Sequence, residues 1–327
     1  MRSITLKIAG IGLLAVAAFV FYPRPAKQLR PSQHPIADDS PIASGPKAAS
    51  VGFAKKQQNH SFDPAKAPES LRFTLDINED SAARGRNIHL LSKSLKPEEI
   101  KAIIAFLLEK HEEDQNQVGH ALKSDLMDLL TRQTSLSSEL TQVFLDIYHD
   151  GSQNVVIRDY AIQHLATLYE RFTEPVSWPA SEVVLQEKAI RSVLWEALSE
   201  KDSSIAGTSL LALSRLSEGE GRADFDRTQI GREALTIAEN SRNGELVRVA
   251  AVQVCGLQKN KAALPFLIKA IQSETDGSLR ISAIGALGAL GGQSEVPLLK
   301  EIEKDGSRLK PAAALALRRI NQRLGQL

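Results

Sequence analysis

Five segments in the C-terminal half of the chain align without gaps. They are Ile157–Leu168 (IRDYAIQHLATL), Ile205–Leu216 (IAGTSLLALSRL), Val247–Gln258 (VRVAAVQVCGLQ), Leu279–Leu290 (LRISAIGALGAL) and Leu309–Ile320 (LKPAAALALRRI). Taking Arg158, Ala206, Arg248, Arg280 and Lys310 as a first column, a small residue follows three positions on: Ala161, Ser209, Ala251, Ala283 and Ala313. The next columns hold Ile162, Leu210, Val252, Ile284 and Ala314, then Leu165, Leu213, Cys255, Leu287 and Leu317. A last column holds Leu168, Leu216, Leu290 and Ile320, broken only by Gln258. This spacing places all four columns on one face of an α-helix. The small column lets neighbouring helices approach, and the others fill the space between them.

A second amphipathic segment precedes most of these helices: SSELTQVFLDIYHD, SEVVLQEKAIRSVLWEALSEKD, AALPFLIKAIQSETDG and SEVPLLKEIEKDG. The turns between carry Asp150-Gly151, Asp202-Ser203, Asp276-Gly277 and Asp305-Gly306. Glycine there is expected to close the first helix in a left-handed conformation, and Asp or Ser to cap the second. The columns recur 48, 42, 32 and 30 residues apart, within the range of two-helix solenoid repeats. TEPVSWP and SEGEGRADFD are natural sites for the longer intervals.

VRVAAVQVCGL and LRISAIGALGALG resemble HEAT repeats of the short bacterial kind, with Val-Arg opening the second helix. The resemblance spans about residues 137 to 324 and implies an α-solenoid of stacked antiparallel helix pairs. It also implies a binding scaffold whose second helices present the contact surface, through their exposed polar residues. It names no individual contact residue.

Upstream, ARGRNIHLLSK, PEEIKAIIAFLLEK and VGHALKSDLMDLL also read as helical, with Pro97 and the acids after it forming a good helix start. This block, 82–136, fits the columns poorly and is read as an N-terminal cap or divergent repeats before the solenoid at 137–327. PEEIKAIIAFLLEK looks like the last helix of small c-type cytochromes. Without a haem attachment motif that likeness has no redox meaning.

Met1–Tyr22 reads as a membrane anchor or signal segment. From Ile4 to Tyr22 a helix would span roughly 28 Å, near the hydrocarbon thickness of about 30 Å. A cleavable signal ending at Ala15-Val16-Ala17 would leave FVFY exposed, so an uncleaved transmembrane helix is the expectation. No cysteine stands near for a lipid. Arg2 and Lys7 nearly balance Arg24, Lys27 and Arg30. The solenoid is therefore expected outside the bacterial inner membrane, on the periplasmic or extracytoplasmic side, mainly because single N-terminal anchors usually leave the short end in the cytoplasm. Residues 23–81 are rich in Pro, Ser, Ala, Lys and Gln and read as a disordered linker. Within it, LRFTLDI is a short strand, a segment docked on the first helices, or a partner motif.

A single cysteine excludes a disulfide framework, and a net charge of +1 argues against a dedicated nucleic-acid binder. Cys255 sits in a leucine column and reads as a buried, inert thiol. His111 before Glu112, Glu113 and Asp114 reads as a solvated helix end rather than a metal site, and His164 as a packed or groove-facing residue. Gly285 and Gly288 read as close-packing points, with Gly291 and Gly292 ending the helix. No catalytic, cofactor-binding or metal-ligating residue emerges, and no cofactor is expected. Arg158, Arg248, Arg280 and Lys310 admit two readings: Asp–Arg contacts between neighbouring repeats, or a basic stripe for an acidic partner. Charge reversal at Arg280 separates them. Arg318, Arg319 and Arg323 suit the end of a terminal helix. The sequence thus leads to a membrane-tethered, non-enzymatic scaffold for protein partners. The alternatives are an accessory subunit of a membrane complex and an enzyme similar to the chromophore lyases.

Overall fold

The computed structural model describes residues 62–172, 178–218, 225–273, 275–305 and 307–325. The expected anchor, 1–22, and the linker as far as residue 61 lie outside the described residues. Among the described residues no helix is long and apolar enough to cross a membrane.

Those residues form fourteen α-helices and no strand. They are α1 (Glu69–Leu75), α2 (Ser81–Ile88), α3 (Pro97–Leu108), α4 (Gln117–Thr131), α5 (Leu140–His149), α6 (Val155–Arg171) and α7 (Ala180–Glu196). There follow α8 (Ile205–Leu216), α9 (Arg227–Glu239), α10 (Glu245–Leu257), α11 (Leu264–Ser273), α12 (Gly277–Leu290), α13 (Val296–Lys304) and α14 (Lys310–Arg323). Each odd helix packs on the even helix that follows it, giving seven antiparallel pairs. Each even helix packs on the next even helix, from α2 through α14 without a break. The all-helical fold expected from the columns is present, and the even row is where the columns lie.

Polar caps set the helix boundaries. Asn154, Asp226 and Asp276 start α6, α9 and α12 by accepting hydrogen bonds from the N–H groups two residues on, at 2.9, 2.8 and 2.7 Å. At α3, Pro97 occupies the first turn and Glu99 accepts from the Lys96 N–H at 2.7 Å. The Ser70 hydroxyl and that N–H together hold the Glu99 carboxyl below its ordinary range. The turn glycines differ from expectation. Among the described residues only Lys259 and Gly325 have positive φ, so Gly151 and Gly277 close no helix in a left-handed conformation. Asp276 caps α12 directly, and Gly277 is that helix's first residue.

The last part of the expected linker is also corrected. Residues 69–75 form α1, with Leu71 and Leu75 fully buried, and α1 packs on α2 and α3. Phe62 meets Phe106 edge to face at 5.5 Å. LRFTLDI is therefore neither tether nor strand; it supplies the docked first helix. Leu71, Thr74 and Leu75 lie three and four apart, which is helical spacing, but one short element shows no sustained period.

Along the even row the small column is completely buried at Ala161, Ser209, Ala251, Ala283 and Ala313. Beside it, two glycines set the approach of the last three even helices. A Cβ on Gly256 would lie 3.1 Å from the Ala286 Cα, and one on Gly288 would lie 2.7 Å from the Ala316 Cα. Gly285 has nothing within 4 Å of its Cβ position, so only Gly288 of that pair is a close-packing point. Gly288→Val should push α12 from α14 and lower stability by about 2 kcal/mol. Gly285→Ala should raise it by about 0.5 kcal/mol through helix propensity. Urea unfolding of the two variants should therefore move in opposite directions.

Candidate interaction surface

The first column places its cations at the C-terminal ends of the odd helices. Arg158 donates from Nε to the Tyr148 carbonyl at 2.7 Å, Arg248 to Ala238 at 3.1 Å and Arg280 to Ile271 at 3.0 Å. Each thus satisfies a carbonyl left open at the end of its own pair's first helix, where positive charge is favoured. Arg158 also pairs with Glu200 in the following turn at 2.6 Å. These cation-to-carbonyl caps lie within each pair, and the following turn adds an acidic contact at Arg158, through Glu200, and at Arg280, whose charge helps hold the Asp305 carboxyl low. At Ala206 the column has no cation, and the Ser209 hydroxyl donates to the Leu194 carbonyl instead, at 2.5 Å. Lys310, in the last pair, is exposed.

The same device reaches two helices that sequence reasoning placed outside the columns. Arg84 of α2 is fully buried, donates from Nε to the Thr74 carbonyl at 2.9 Å, and holds Glu113 bidentately at 2.7 and 3.0 Å. Lys123 of α4 donates to the Glu109 carbonyl and to Asp114, both at 2.6 Å. Burial pulls the Lys123 ammonium below its ordinary range, and Asp114 opposes that shift. Arg84, Lys123 and Arg158 are spaced 39 and 35 residues apart, so α1–α4 are repeats of the same construction. The ends of the even helices are tied in a related way. Arg171 donates to the Thr131 carbonyl at 2.8 Å, and Arg323 to the Gly288 and Gly291 carbonyls, each at 2.6 Å. Arg323 thus caps its neighbour α12 rather than only its own helix. Gln258, the break in the last apolar column, donates to the Ser214 and Ser217 hydroxyls at 2.8 and 3.0 Å.

The other singled-out residues are packing elements. Cys255 is fully buried among the columns, and burial pushes its thiol up to about 12. His111 stacks on Phe106 with ring centres 4.2 Å apart, and Asp114 beside it is buried on Lys123. That corner is therefore a packed joint rather than a solvated helix end. Among the described residues no cluster of His, Cys, Asp or Glu could hold a metal ion. His164 is 5% exposed, lies 6.1 Å from the Phe144 ring, and is pulled down to about 4, chiefly by burial.

Apart from these ties, one set of even-row positions lies outside the buried columns and is in part open to solvent. Counted from the cation column, they are the first, second, fifth and ninth residues on. On α4 and α6 these positions carry Asp125, Asp128, Arg132, Asp159 and Tyr160, all but Arg132 half-buried, and Asp159 accepts from the Ser204 hydroxyl. Burial raises the carboxyls of Asp125 and Asp159. From α10 to α14 the same positions carry Val249, Gln253, Ile281, Gly285 and Leu315, without charge until Arg319. Ile281 and Leu315 are 46% and 47% exposed, and Leu246 beside them 52%. The exposed residues of these helices were expected from sequence to be polar, whereas in the last three pairs these positions are mostly apolar.

Helix pairs stacked through a continuous row of packed even helices define a helical-repeat protein. Residues 233–318 match the family described as HEAT repeats, so that part of the chain carries HEAT repeats. No curated protein matches the sequence. Among solved structures, human deoxyhypusine hydroxylase in complex with glycerol is similar at 19% identity, over 77% of this chain and 95% of that chain, with a TM-score of 0.27. A likeness at that level supports no statement about activity.

Two outcomes follow for the polar ties. Arg280→Glu should lower stability by about 1–2 kcal/mol, because a carboxylate would face the open Ile271 carbonyl; equilibrium denaturation measures it. His164 has a folded-state value below its unfolded one, so the unfolded chain binds the extra proton between about pH 6.5 and pH 4. Stability is fully present above pH 6.5 and falls by roughly 3 kcal/mol as pH drops through that window. A His164→Gln variant should lack that part of the pH dependence when the two stability profiles are subtracted.

Proposed function

We propose that this chain is a non-catalytic scaffold that binds a protein partner on the solvent-facing side of its even row, over α10, α12 and α14. The observation that carries this reading is the set of exposed apolar residues Leu246, Ile281 and Leu315 on α10, α12 and α14, with half-buried Val249 among them. Apolar side chains exposed side by side on rigid, closely stacked helices cost little ordering on association, and their burial supplies the driving force.

The reading includes a tether. The apolar segment 1–22 anchors the chain in a bacterial inner membrane, with the helical repeats on the extracytoplasmic side. Residues 23–61 give the reach that concentrates the scaffold near membrane partners. On this reading the partner is one permanent neighbour or a small set of neighbours at the membrane.

The test is crosslinking of the full-length protein in its native membrane, compared with an Ile281→Glu/Leu315→Glu variant. One dominant protein near equal stoichiometry is expected. It should be lost in the variant while the melting temperature stays within about 2 °C, as for exposed substitutions generally. A partner retained in full by the variant would remove the even-row face from the account.

A further inference from the structure

A second feature of the surface lies where the first turn of α9 meets the turn after α10. Arg227 and Arg232 from α9 and Lys259 and Lys261 from the turn line one notch of about 240 Å³. All four are exposed, and among the described residues none has a carboxylate partner within ion-pair distance. Arg227 donates from Nε to the Gln258 side chain at 3.0 Å, which fixes that guanidinium at the rim. Asn260 donates to the Gly231 carbonyl at 2.7 Å and ties the turn to α9. The adjoining carboxylate, Asp226, is occupied in capping α9, accepting from the Thr228 and Gln229 N–H groups.

The backbone at this point carries an independent signal. Lys259 has φ of +53°, the left-handed region that lysine adopts at a cost and glycine adopts freely. It stands just past the end of α10. Its N–H bonds to the Gly256 carbonyl at 3.2 Å, and the Asn260 N–H bonds to Cys255 at 3.0 Å. That pattern is the helix-ending motif in which glycine is the usual residue. Lysine in its place adds a cation to the lining of the notch at the expense of the fold. Strain of this kind, held by the surrounding structure, points to a use.

We infer that this notch binds an acidic protein segment, with carboxylate side chains seated among Arg227, Arg232, Lys259 and Lys261. The chemistry favours a peptide over nucleic acid. No aromatic side chain lines the notch to stack a base. The four cations converge on one small concavity instead of tracking a phosphate backbone, and the whole chain has a net charge of only +1. The inference does not depend on the even-row face, which lies on other positions.

The test uses the full-length protein and a fluorescein-labelled oligoglutamate peptide, read by anisotropy. Binding is expected at low salt and should weaken as salt shortens the screening length to about 8 Å at physiological strength. Lys259→Glu/Lys261→Glu should weaken it about tenfold or more, and Arg232→Gln, a milder exposed change, about threefold. Lys259→Gly should weaken binding while leaving the melting temperature unchanged or raised, because the strain is relieved as the charge is lost. Ile281→Glu/Leu315→Glu should leave peptide binding unchanged, so failure of the notch and failure of the even-row face are read separately. Three outcomes would overturn the inference. They are affinity unchanged in the double charge reversal, preference for an oligothymidylate of equal charge, and a Lys259→Gly variant that melts lower but binds as before.

Discussion

The rest of this structure depends on how closely the even helices approach one another. Ala161, Ser209, Ala251, Ala283 and Ala313 are wholly buried, and Gly256 and Gly288 bring backbone against backbone. Larger residues in these places would hold the even helices apart, and the columns of Leu, Ile and Val on either side would lose their contacts together. Close packing makes the row sensitive in this way, because a dense interior has no slack in which to absorb an added group. In most pairs the odd helix leans mainly on its even partner, so the even row acts as the spine. It also fixes which side chains face solvent side by side, and the apolar run over α10–α14 follows from it.

Polar groups inside such a stack need partners, and the chain supplies them by a repeated device. Arg84, Lys123, Arg158, Arg248 and Arg280 each reach a carbonyl at the end of the preceding odd helix. A cation at that position answers both the open carbonyl and the negative end of the helix dipole. Arg171 and Arg323 do the same between neighbouring even helices. Most of the column is thus occupied in holding the fold. The cations of the notch by α9 differ because, among the described residues, no carboxylate answers them.

Much of this was legible in the sequence from residue 157 onward, since burial of a helix face imposes its period directly on the residues. Upstream the small column fails: Asn87 and Leu126 stand where alanine is found later. The cations Arg84 and Lys123 still mark the repeat there, and they were the available signal. The helix at 69–75 was hidden by its brevity and by the Pro- and Lys-rich segment before it. The apolar even-row face could have been read by carrying the columns to their outward positions, where Val249, Ile281 and Leu315 fall. The notch could not, because it joins α9 to a turn about thirty residues away and hinges on the backbone angle of Lys259, which no side-chain pattern records.

The most direct measurement of the central claim is amide hydrogen exchange resolved by helix. If the even row is the spine, the amides of α10, α12 and α14 will exchange only through global unfolding, while those of α9, α11 and α13 will open locally at lower free energy. Equal protection in both rows, or slower exchange in the odd helices, would contradict the account.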